Sequence, residues 1–164
     1  MAASINTYSY VDGDPIGYAD PCGLARCTYS ISSHTVNCTS NDGSVQRSLG
    51  PAGVWSGVRQ CTNNPSQSCQ ASSDYGPIPA GNYKMNRDTR PGHDKFWRLE
   101  PTPKISGLRY SLGLARSGFM LHPGHVSLGC ITALKDSESL MDVYNKLNQL
   151  LLSEDGSNIL TVTP

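Results

Sequence analysis

Hydrophobic and polar residues alternate in short runs along most of this chain, and they take up a helical rhythm once. Residues 27–31, 35–39 and 44–48 read as short strands separated by Ser-Ser-His and Asn41-Asp-Gly turns, a meander. In Tyr75-Gly-Pro-Ile-Pro-Ala-Gly-Asn-Tyr83 the prolines and glycines force a turn before a strand over 82–86. Leu108, Tyr110, Leu112 and Leu114 alternate as on a half-buried strand, Phe119-Met-Leu121 reads as a short buried strand running into His122, and 158–163 forms the last. From 136 to 152, Leu140, Val143, Tyr144, Leu147, Leu150 and Leu151 recur at helical spacing, with Asp136 or Ser137 as cap. The pattern predicts a mainly β fold, a sheet or sandwich with one packed helix, and no internal repeat.

Composition agrees. The 164 residues suit one domain with a short appendage, and 16 Gly with 11 Pro imply many turns. Thirteen Lys+Arg balance thirteen Asp+Glu, which argues against nucleic acid and acidic membrane surfaces as partners. No apolar run reaches the ~20 residues of a membrane span. Met1-Ala-Ala-Ser-Ile-Asn6 lacks the basic start and apolar stretch of a signal peptide, so export would require another machine or a larger precursor.

Cysteines stand at 22, 27, 38, 61, 69 and 130. If 27–31 and 35–39 form a hairpin, Cys27 and Cys38 fall opposite one another, as a disulfide requires. Cys61 and Cys69 bracket a polar loop that a second bridge would staple. Both pairs are disulfide candidates, although reduced cysteines of a cytosolic protein would give the same sequence. If both form, Cys130 stays free and the working compartment is oxidising.

Chemistry concentrates in Leu121-His-Pro-Gly-His-Val-Ser-Leu-Gly-Cys130, which holds two of the four histidines and a cysteine. An unassisted thiol is a few per cent ionised at neutral pH, and an imidazole within reach can take its proton and stabilise the thiolate. Gly129 lets the backbone approach a substrate carbonyl, N–H groups around Gly129 and Cys130 offer an oxyanion hole, and Pro123-Gly124 folds the histidines back toward the thiol. His122 and His125 both qualify as the base. Two other readings compete: a structural cysteine beside surface histidines, and a metal site on His122, His125 and Cys130, for which the usual cysteine-pair spacing is absent. No cofactor or metal is called for. Arg116 is the candidate to bind a substrate carboxylate and Tyr83 a candidate wall of the substrate groove, while Trp55 and Trp97 suit core or groove positions equally. His34 and His93 carry no motif, and the Arg90-Pro-Gly-His93 loop is placed to overhang a cleft.

Two resemblances extend this reading. Tyr8-Ser-Tyr-Val-Asp-Gly-Asp-Pro15 followed by Asp20-Pro-Cys-Gly-Leu24 is similar to the end of the core in Rhs-repeat proteins, which implies a boundary after residue 24 and a toxin domain over 25–164 once carried by an Rhs core. Gly76-Pro-Ile-Pro-Ala-Gly-Asn-Tyr83 with His122 and Ser127-Leu-Gly-Cys-Ile131 resembles the L,D-transpeptidase family, and more closely the L,D-transpeptidase-like effectors of type VI secretion systems. That resemblance implies an L,D-transpeptidase-like β-sandwich, Cys130 as nucleophile, His122 as upstream base, and Ser127 and Gly129 shaping the oxyanion pocket. Leu128 stands where wall-synthesising members carry His, and the His-to-Cys spacing is shorter than theirs. Both departures favour the toxin branch and leave His125 open as the base. The implied activity is L,D-carboxypeptidase or L,D-transpeptidase exchange of the terminal D-Ala of peptidoglycan tetrapeptide stems, in a target-cell periplasm after type VI secretion, with an immunity protein as partner. The alternatives are a cysteine hydrolase acting on another amide and a non-catalytic wall- or partner-binding module.

Overall fold

The computed structural model describes residues 24–102, 116–154 and 158–164. The Rhs-like segment before residue 24 and the strand expected at Leu108–Leu114 lie outside them.

Among the described residues, nine strands and one long helix make up the fold. The strands are β1 (Arg26–Ser30), β2 (Thr35–Thr39), β3 (Gln46–Leu49), β4 (Val54–Ser56), β5 (Gly81–Arg87), β6 (Trp97–Pro101), β7 (Phe119–Gly124), β8 (Ile131–Leu134) and β9 (Asn158–Thr163). A short helix, α1 (Gln67–Ala71), sits inside the cysteine loop, and α2 spans Glu138–Ser153. Ser137, not Asp136, caps α2, its side chain accepting from the Leu140 N–H. The third strand starts two residues later than the alternation suggests, because the Asp42 carboxylate accepts from the backbone and hydroxyl of Ser44 and extends the turn.

All strands join one sheet in the order β3-β2-β1-β9-β5-β6-β7-β8-β4. The β1–β9 and β7–β8 pairs are parallel and the others antiparallel. Helix α2 packs against both β3 and β8. Laid flat, those strands would be about 33 Å apart, three times a helix diameter, so the sheet must curl around α2. The expected sandwich is thus one sheet folded on itself. Register rows carry the core through the curl: Leu49, Val36, Tyr29 and Val162 pair in succession, as do Trp97, Leu121 and Ile131, and all are buried. Tyr144 of α2 donates to the Lys95 carbonyl at 2.7 Å, and the Trp97 indole N–H donates to Asn148 at 2.9 Å, fixing the helix over β6 and β7. Three strands that the alternation does not reveal, β4, β6 and β8, are short and owe their existence to distant partners.

Candidate active site

Among the described cysteines Cys130 is the free one. Cys27 and Cys38 sit opposite one another on β1 and β2 and are bonded, as are Cys61 and Cys69 across the polar loop. Cys130 lies half-buried just before β8.

Strands β7 and β8 place Cys130 and His122 close in register. Their parallel register pairs Leu121 with Ile131 and His122 with Thr132, which sets Cys130 beside Met120 and one pleat from His122. Such a diagonal step separates Cα atoms by about 8 Å, a span that two side chains on one face can close. Along β7, Phe119 and Leu121 are buried while Met120 and His122 are half-exposed, so His122 points out of the core.

The loop before Cys130 is built from backbone bonds. Ser127 is fully buried, its hydroxyl donating to the Cys130 carbonyl at 2.6 Å and accepting from the Gly57 N–H at 3.1 Å. Ser56 accepts from the Ile78 N–H at 2.8 Å and donates to the Gly129 carbonyl at 3.3 Å. Arg116 donates to the carbonyls of Gln70, Gly76 and Pro77 at 3.1, 2.9 and 2.8 Å and lies over the Phe119 ring. The two sequence motifs, around Gly76 and around Cys130, are therefore tied together through Ser56 and Arg116. Gly129 has φ +107°, and a Cβ there would strike the Arg116 guanidinium and approach Phe119 to 3.1 Å. Only glycine suits both that backbone and that space.

His122 is fixed by different means. Its Nδ1 lies 2.9 Å from the Pro123 carbonyl, which can only accept, so in the neutral ring Nδ1 carries the proton and Nε2 the lone pair. The Phe96 ring stacks on the imidazole at 4.8 Å with planes 19° apart. A Cβ on Gly124 would come within 3.1 Å of the same ring, so Gly124 leaves the space it occupies. Burial, above all, lowers the His122 pKa from its ordinary value, the Pro123 hydrogen bond opposes this, and nearby His93 adds to it. Burial raises the Cys130 pKa, while a hydrogen bond from the Met120 backbone and the Arg116 charge favour its thiolate. Both shifts favour the uncharged forms, a thiol and a neutral imidazole.

The other expected residues are placed elsewhere. His125 is exposed, its Nε2 3.4 Å from Asp136. Arg116 is engaged by backbone carbonyls beneath Gly129 and not held out to solvent. Tyr83 is fully buried and donates to the Pro79 carbonyl at 2.6 Å, so it is a core residue and lines no groove. Among the described residues no group of three or more His, Cys, Asp or Glu is placed to hold a metal ion, and no helix is long and apolar enough to cross a membrane. The residues sequence reasoning missed are Ser56, Phe96 and Gly124, the last having been read there as a turn-former alone. The Arg90-Pro-Gly-His93 turn was the one signal that pointed toward the segment bearing Phe96.

Fold and site together define a mainly β domain with one packed helix and a free thiol one pleat from a tautomerically fixed imidazole. Residues 50–160 match the model of the Tlde1 domain, and the chain belongs to that family, a type VI effector family. No curated protein matches it. Among solved structures it is similar to the helical cell shape determining protein Pgp2 from Campylobacter jejuni, with 12% identity and TM-score 0.49 over 88% of this chain and 51% of that one. It is also similar to Mycobacterium tuberculosis L,D-transpeptidase 1, with 16% identity and TM-score 0.45 over 87% of this chain and 62% of that one. The chain thus spans about half to three fifths of the length of these structures.

Proposed function

We propose that this domain is a peptidoglycan-directed effector toxin in which Cys130 is the nucleophile and His122 the general base, acting on the terminal D-Ala of tetrapeptide stems. The observation that carries this reading is a free thiol one pleat in register from an imidazole whose Nδ1 is committed to the Pro123 carbonyl, which leaves Nε2 with the lone pair a base needs. Membership of an effector family supports the toxin role. The resemblance of the Gly76–Tyr83 and Ser127–Cys130 motifs to L,D-transpeptidases supports the substrate.

In the proposed reaction, His122 Nε2 takes the proton of Cys130 as Sγ bonds the carbonyl carbon preceding D-Ala. Backbone N–H groups near Gly129 and Cys130 meet the oxyanion, with Ser127 and Gly129 setting the shape of that backbone. Collapse breaks the C–N bond, the imidazolium returns its proton to the departing amine, and D-Ala leaves a thioester on Cys130. Water then releases the free acid, a carboxypeptidase outcome, or an amine forms a new amide, a transpeptidase outcome. Both remove donors for normal cross-linking. Two disulfides suit an oxidising target-cell periplasm, and a toxin there calls for an immunity protein in the producer, with an Rhs core as carrier.

Mass spectrometry of tetrapeptide muropeptides incubated with the wild type and with Cys130→Ala tests this. Loss or exchange of terminal D-Ala by the wild type alone is expected. Unchanged tetrapeptides, with the protein folded and Cys130 reduced, would move the assignment to another amide or to a binding role.

A further inference from the structure

A segment outside both motifs, the turn after Asp88, builds a stack onto the proposed general base. Between β5 and β6 the chain makes a closed loop: the Asp88 N–H donates to the Phe96 carbonyl at 2.9 Å, the His93 N–H to the Arg90 carbonyl at 3.0 Å, and the Phe96 N–H to the His93 carbonyl at 2.9 Å. Asp88, a buried residue, anchors the loop, accepting from the Arg90 guanidinium and lying 3.0 Å from His93 Nδ1. These bonds hold its carboxyl well below the usual range, Arg90 contributing most and His93 next, so it stays ionised. The His93 ring lies on one face of Phe96 at 4.5 Å with planes 16° apart, and His122 lies against Phe96 at 4.8 Å. The column therefore runs from the buried Asp88 carboxylate through two rings to the imidazole, which Gly124 also leaves room for.

We propose that Phe96 is a positioning residue for His122: seated by the Asp88-anchored loop and backed by His93, it clamps the imidazole in the plane that aims Nε2 at Cys130. This rests on the reading of His122 as the base. A half-exposed imidazole hydrogen-bonded through one nitrogen can still swing about that bond. A flat ring on its face removes the freedom and excludes water from it. Phe96 thus acts through His122 in two separable ways, by orientation and by cover.

The test joins kinetics on stem peptides with NMR titration of His122 in the full chain. Phe96→Ala is expected to lower kcat by about 10- to 100-fold with KM changed less than about 2-fold. Because burial is the main cause of the low His122 pKa, the imidazole titration and the acid limb of the rate profile should both move to higher pH in this variant. Phe96→Tyr, which keeps the flat face, restores both. Phe96→Leu keeps cover without the flat face, so His122 titrates close to wild type while kcat still falls several-fold. A folded Phe96→Ala with wild-type kcat and an unmoved His122 titration overturns the proposal, and so does wild-type kcat in Phe96→Leu. The pH dependence of Cys130 alkylation by iodoacetamide reads the same pair without peptidoglycan. If stem peptides prove not to be substrates, an acid limb of alkylation that moves in Phe96→Ala upholds the clamp, while one that stays in place overturns it.

Discussion

The two halves of the site are held in contrasting ways. Cys130 sits on a loop fixed by hydrogen bonds to main-chain atoms, through Ser127, Ser56 and Arg116, and by a glycine whose φ of +107° no other residue adopts comfortably. His122 has one main-chain bond and otherwise packs between the flat face of Phe96 and the backbone of Gly124, where no side chain intrudes. The carbonyl environment of Cys130 is thus set by directional bonds, which tolerate little displacement, and the orientation of His122 by packing, which yields gradually. Damage to the first half should be abrupt and often structural. Damage to the second should be graded and show itself in rate and pH dependence more than in stability.

The largest expected effect is that of Cys130→Ala, which removes the proposed nucleophile: activity on tetrapeptides should fall by more than about 1,000-fold while thermal stability stays near wild type. His122→Gln comes next, with a loss of about 100- to 10,000-fold in kcat and an intact fold. If instead His125→Ala produces that loss and His122→Gln does not, the base has been misassigned. Gly129→Ala forces a side chain into an unfavourable φ and against Arg116, so both melting temperature and activity should drop, at a cost of about 1–3 kcal/mol from the backbone alone. Ser127→Ala strips a buried hydroxyl of two bonds and leaves the Gly57 N–H without its acceptor. A stability loss of about 1–3 kcal/mol by denaturant titration is expected, with a smaller drop in activity than at His122. Smallest of all is His125→Ala, where an exposed contact with Asp136 is lost and stability should change by less than about 1 kcal/mol.

The rate profile sharpens the same comparison. The proposed base, His122, works when neutral, and burial lowers its pKa below the ordinary 6.5, so activity should persist at pH 6.5 and fall only as the pH drops through the lower value. An acid limb above pH 6.5 in wild type would show that the imidazole is not covered as described. Gly124→Ala, which crowds the ring without touching the Cys130 loop, should lower kcat and leave the Cys130 environment unchanged.

Much of the fold was legible along the chain. Alternation marked β1, β2, β5 and β9, helical spacing marked α2, and the hairpin geometry put Cys27 opposite Cys38, because each of these signals is local. Strands β4, β6 and β8 were not legible, since three to five residues carry too little pattern and pair with partners far away in sequence. The chemistry followed the same division. A His-Pro-Gly-His and a Ser-Leu-Gly-Cys in one short run announced a thiol and its candidate bases. Local sequence did not say which histidine faces the thiol. Strand register puts His122 one pleat from Cys130 and leaves His125 beside Asp136. Nor did it say that Arg116 would be spent on carbonyls, that Tyr83 would be buried, or that Phe96 would lie on His122.

By itself, then, the sequence determined the residue types, the local turns and a short run holding a thiol and two candidate bases, because bond geometry, backbone preference and intrinsic acidity belong to a residue and its immediate neighbours. Tertiary structure alone decided which groups meet and how each is tuned. Burial, stacking and the capture of a guanidinium by three distant carbonyls depend on surfaces that exist only once the sheet has curled around α2.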